Sequence, residues 1–99
     1  MSTLQPFSPA NTVPIAATTS SQNFALDPSA LWDQVRLVNM TTGVVYVLMS
    51  KNAADIVSAA NGVPLLAGTA EVFTKGDATR IAVIAASAGN LAATLGNGV

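Results

Sequence analysis

Histidine and cysteine are both absent from the 99 residues, and charge of either sign is scarce, with four Lys and Arg against five Asp and Glu for a net charge of -1. Without cysteine, neither a disulfide framework nor a thiolate zinc site can form. Without histidine, the commonest general base and metal ligand are missing. Nucleophilic chemistry would fall to Lys51 or Lys75, and each sits beside turn residues and reads as a solvated loop charge. The carboxylates Asp27, Asp33, Asp55, Glu71 and Asp77 are spread along the chain, with no pair indicated for acid-base work. Asp27 and Asp33 suit turn and capping roles. Neither an oxygen-rich calcium loop nor a glycine-rich phosphate loop occurs. These absences predict a protein that is not an enzyme, with no catalytic residue, no cofactor and no metal.

The same scarcity bears on partners. Arg36, Lys51, Lys75 and Arg80 are too few and too scattered to neutralise a row of phosphates, which argues against nucleic acid. The longest apolar stretches, 43–49 and 81–86, fall well short of the roughly 20 residues that a spanning helix needs, which argues against a membrane. The segment Met1-Ser-Thr-Leu-Gln-Pro-Phe7 has neither a positive nor an apolar signal region, so synthesis in the cytoplasm is expected. Charged residues make up 9% of the chain where about 25% is ordinary, and 51% are hydrophobic. A surface so poor in charge tends to associate, which predicts a homo-oligomeric subunit.

What is present is a series of short runs rich in Val, Ile, Thr, Phe and Tyr, separated by turn-formers at intervals of about ten residues. Eight runs are predicted as strands, at 13–20, 22–26, 34–39, 44–50, 63–66, 70–75, 79–87 and 91–95. Asp27-Pro28, Thr42-Gly43, Asn61-Gly62, Ala67-Gly68, Lys75-Gly76-Asp77 and Gly89-Asn90 supply the turns between them. Asn39-Met40-Thr41 matches a glycosylation sequon but reads as a strand running into a turn. One short helix is predicted near residues 53 to 60, where Ala content is high and Gly62 supplies a stop, with Ile56 and Val57 against the sheet. The expected class is therefore an all-β sandwich of about eight strands, occupying residues 13–99 as a single domain.

Pro6 and Pro9, among Ser and Asn residues, predict an extended N-terminal arm over residues 1–12, with Leu4 and Phe7 as anchors on a neighbouring subunit. Val44, Tyr46 and Leu48 belong to a run that is apolar on both faces, so that strand is either covered on both sides or lies at a subunit interface. Trp32 is expected as a core plug or an interface anchor. Alanine occupies eighteen positions, which permits close approach of sheets or subunits.

The strand pair Val35-Arg36-Leu37-Val38-Asn39 and Val44-Val45-Tyr46-Val47 is followed by Gly62-Val63-Pro64-Leu65-Leu66-Ala67-Gly68-Thr69-Ala70-Glu71-Val72-Phe73. Together with Arg80-Ile81-Ala82-Val83-Ile84-Ala85 and Gly96-Asn97-Gly98, this resembles the small jelly-roll decoration, or cement, proteins of tailed bacteriophage capsids, over roughly residues 13 to 98. The resemblance implies a jelly-roll-like sandwich without an active site. It implies a structural virion protein on the capsid surface that binds the outside of the assembled shell and reinforces contacts between major capsid protein subunits. It also favours a trimer over a dimer. The alternatives are a phage tail or fibre subunit and a carbohydrate-binding or adhesive module, the latter expected to carry exposed aromatics or a calcium loop.

Overall fold

A computed structural model describes residues 8–26, 33–75 and 78–97. Eight strands follow in order: β1 (Ser8–Ala17), β2 (Gln22–Ala25), β3 (Gln34–Asn39), β4 (Val45–Ser50), β5 (Val63–Leu65), β6 (Ala70–Thr74), β7 (Arg80–Ala85) and β8 (Gly89–Asn97). They form two four-stranded antiparallel sheets with strand orders β1-β8-β3-β6 and β2-β7-β4-β5. The pairs β1/β8, β2/β7, β3/β6 and β4/β5 nest inside one another, as in a long hairpin wound up from its β4–β5 connection.

Alternation decides which side chains meet between the sheets. From the first sheet, Ile15, Ala17, Val35, Leu37, Leu91, Ala93 and Leu95 point inward. Leu26, Val45, Val47, Leu65, Ile81, Val83 and Ala85 answer from the second sheet and its margin, and all are buried in one cluster. Phe24, Met49 and Phe73 close its sides. The chain is thus all-β and sandwich-like, as the spacing of apolar runs predicts.

Two differences from the sequence reading stand out. No helix forms at 53 to 60: the described segment consists of turns at 53–54 and 59–61 joined by irregular chain. Side-chain bonds replace the helical ladder there, with Asn52 Oδ1 accepting from Ala54 N at 2.9 Å and Asn61 Oδ1 accepting from Ser58 N at 2.7 Å. Asn and Ser side chains compete with the backbone ladder in this way, and eight residues are too few for alanine propensity to prevail. The segment still packs where it was expected to, although only Val57 is buried and Ile56 is 69% exposed. The second difference is at the start of the chain. Residues 8 to 12 of the expected arm lie in β1, where Ser8 pairs with Asn97 and Thr12 with Thr94, and Leu4, Phe7 and Trp32 lie outside the described residues.

Candidate interaction surface

Odd-numbered strands all run toward one end of the sandwich and even-numbered strands run away from it, so the connections divide between two ends. The first end carries the links β1–β2 (18–21), β3–β4 (40–44), β5–β6 (66–69) and β7–β8 (86–88). Their sequences are Thr-Thr-Ser-Ser, Met-Thr-Thr-Gly-Val, Leu-Ala-Gly-Thr and Ala-Ser-Ala, without one charged residue. The opposite end carries the remaining connections, among them the long one at 51–62, and Asp33, Lys51, Asp55, Lys75 and Arg80 all lie there. Of the described charged residues, only Arg36 and Glu71 lie elsewhere, within β3 and β6.

The uncharged end is held by one side chain. Asn39, the last residue of β3, is fully buried, and its amide is completely used. Nδ2 donates to the carbonyls of Gly43 at 2.9 Å and Leu65 at 2.8 Å, while Oδ1 accepts from the backbone and hydroxyl of Thr41 at 2.9 and 2.7 Å. Its backbone N–H donates to Thr69 and its carbonyl accepts from Gly68, both at 2.9 Å. Three segments, 40–43, 65 and 68–69, are thereby fastened to one point. The sequon residue is structural, since a fully buried and saturated amide presents nothing to modify. A fourth segment joins by close packing, because a Cβ at Gly89 would stand 2.9 Å from Thr41 Cγ2, a separation that only glycine avoids.

On this rigid base, Met40 and Leu66 point outward, 58% and 63% exposed, among small residues such as Thr42, Ala67, Ala86 and Ala88. The turn carrying Leu66 is bonded to the residue before Met40, so the two lie on adjacent loops. Sequence reasoning passed over both. The available signal was a large apolar residue placed directly beside a turn, as in Leu66-Ala67-Gly68.

The predicted interface residues that can be placed divide between this end and the outer face of the second sheet. Val44 lies at the uncharged end and is half-buried. Tyr46 and Leu48 stand on the outer face of the second sheet, opposite Ile84 and Ala82 of β7, and are half-buried. The 51–62 connection folds over that face. Its Val57 is buried, Val57 N donates to Ser21 Oγ at 3.0 Å, and the Asn52 and Asp55 carbonyls both accept from Asn23 Nδ2 at 3.2 Å. A Cβ at Gly62 would fall 2.7 Å from Tyr46 Cβ and 2.6 Å from Val57 Cγ2, which shows how tightly the connection lies on the sheet. Ala82, on the same outer face, is completely buried. Much of the second apolar face of β4 is therefore met by the chain's own connection.

The charged end is built from polar contacts. Ser50 Oγ donates to Asp55 Oδ2 at 2.8 Å, and Arg80 donates through Nε to Asn23 Oδ1 and through Nη2 to the Asn23 carbonyl. Lys75, expected as a solvated loop charge, is instead buried, and its Nζ donates to the Ala78 carbonyl at 3.4 Å. Among the described residues there is no pocket, and no three acidic side chains gather where a metal ion would sit. No helix is long and apolar enough to cross a membrane. Compared with protein-family models, with curated proteins and with solved structures, the chain matches none of them.

Proposed function

We propose that this chain is a non-enzymatic structural subunit of a phage virion that decorates the outside of an assembled capsid, with the uncharged end of the sandwich as its attachment surface. The observation that carries the reading is the exposure of Met40 and Leu66 on a charge-free end that Asn39 fixes from beneath. Large apolar side chains in the midst of small ones are suited to a desolvated contact, because burial stabilises without leaving a charge unpaired. The strand orders β1-β8-β3-β6 and β2-β7-β4-β5 support a jelly-roll topology, one of the sandwich architectures found in viral capsid domains. Reinforcement follows from linkage: a subunit that binds the assembled lattice but not separated capsid proteins stabilises the lattice by mass action. Its partners in this reading are the major capsid protein and further copies of itself.

Co-sedimentation with empty capsids of the phage that produces the protein tests the reading. Saturable binding is expected for the unaltered chain, and loss of at least about tenfold in affinity for Met40→Asp with Leu66→Asp, each of which buries a charge in the contact. Imaging of the purified virion is the second arm. Density confined to the tail would replace capsid decoration by a tail role, and saturable glycan binding without virion association would replace it by an adhesive one.

A further inference from the structure

A sandwich of two open sheets has four edge strands, each with a row of backbone N–H and C=O groups turned outward, and proteins usually obstruct such rows. Which residues face outward follows from the ladder, because hydrogen-bonded and non-hydrogen-bonded pairs alternate along antiparallel strands. In β5, the middle residue of three is Pro64, which has no N–H. In β1, the bond from Met40 N to the Asn90 carbonyl assigns the even residues of β8 to β3 and the odd ones to β1. Thr12, Pro14 and Ala16 therefore face away, with proline in the middle. In β2, the bond from Leu26 N to the Thr79 carbonyl leaves only Asn23 and Ala25 outward, and the Asn23 side chain is engaged with the 51–62 connection.

Strand β6 differs from all three. The bonds from Lys75 N to the Asp33 carbonyl and from Asn39 N to the Thr69 carbonyl fix the phase of its ladder. Phe73 and Glu71 bond Val35 and Leu37 of β3, while Ala70, Val72 and Thr74 direct both backbone groups away from the sheet. No proline interrupts this row, and no other described backbone group bonds to it.

We infer that β6 is a self-complementary edge, which pairs antiparallel with β6 of a second copy about a two-fold axis at Val72. In that register Val72 bonds Val72 of the other copy and Ala70 bonds Thr74 in both directions, giving about six backbone hydrogen bonds. The side chains agree with it. Glu71 comes opposite Phe73 rather than another Glu71, so no like charges face each other, and the outer face pairs valine with valine and alanine with threonine. The two first sheets become one continuous sheet of eight strands. Such an isologous contact closes at two copies, so the smallest assembly is a dimer rather than the trimer that the family resemblance favours. The inference is independent of capsid binding, because the edge and the uncharged end are separate surfaces.

Sedimentation of the full chain at micromolar concentrations, with and without Val72→Pro, tests the pairing. The Val72 N–H faces away from β3, so proline removes no bond within one copy but removes the central pair of the dimer. A dimer is expected for the parent chain, with association weakened at least about tenfold in the variant. The absence of cysteine gives a second test that does not depend on the proline variant folding. Under mild oxidation, Val72→Cys should cross-link to its own copy, since paired residues lie within disulfide reach. Ala70→Cys should not, because its two copies would stand about 14 Å apart, four residues along the strand. A monomeric parent chain, an unchanged dimer with Val72→Pro, or equal cross-linking at positions 70 and 72 would each overturn the pairing.

Discussion

The two ends of the sandwich solve the same problem, closing connections between sheets, in opposite ways. The uncharged end uses short links and one buried hub, with Asn39 making four side-chain bonds, three of them buried and one partly so. The charged end uses the long 51–62 connection, clamped by largely exposed bonds from Asn23, Asn52 and Asn61 and anchored by the single buried side chain of Val57. A buried, saturated polar group is costly to expose, whereas an exposed hydrogen bond exchanges readily with water. Absence of charge in a loop therefore need not mean looseness, and the better-fixed end is the one displaying apolar side chains. A rigid, apolar end loses little entropy when it binds.

Substitutions at each end test this contrast. The largest effect is expected from Asn39→Ala, which leaves the buried Thr41 N–H and the Leu65 carbonyl without their partner and should cost about 3 kcal/mol in chemical denaturation. Next is Gly62→Ala at the other end. Its new Cβ meets Tyr46 Cβ and the Ser58 carbonyl at 2.7 and 3.0 Å, and the overpacking should cost about 2 kcal/mol. Val57→Ala should cost about 1.5 kcal/mol by lost burial and speed amide exchange across 52–62, with residues 39–43 still exchanging only on global unfolding. If the 39–43 amides exchange first, the ordering of the two ends is reversed. The smallest effect on stability, within about 0.5 kcal/mol, is expected for Met40→Asp and Leu66→Asp, whose consequence should appear in binding alone.

How much of this was readable beforehand varies with the kind of interaction. Six of the eight strands lie within the runs that alternation and turn chemistry mark out, since both signals are local: Val35 and Leu37 face one way and Arg36 the other because of the pleat; β1 and β8 overrun theirs, and Gly89-Asn90, expected as a turn, opens β8. The β1 strand starts at Ser8 because β8 extends to Asn97 and offers partners to residues that would otherwise read as a tail. Alanine propensity at 53–60 gave way to Asn and Ser side-chain bonds and to the sheet beneath Val57.

By itself, the amino-acid sequence determined the all-β class, the number of strands and the poverty of catalytic groups, because composition and period-two patterning act within a few residues along the chain. Long-range packing makes Asn39 a hub, buries Lys75, lays the 51–62 connection on the second face of β4 and gathers the charge-free turns at one end. Each of these depends on segments far apart in sequence, such as Asn39 with Leu65 or Ser21 with Val57, and is set by which strands pair and in which direction they run.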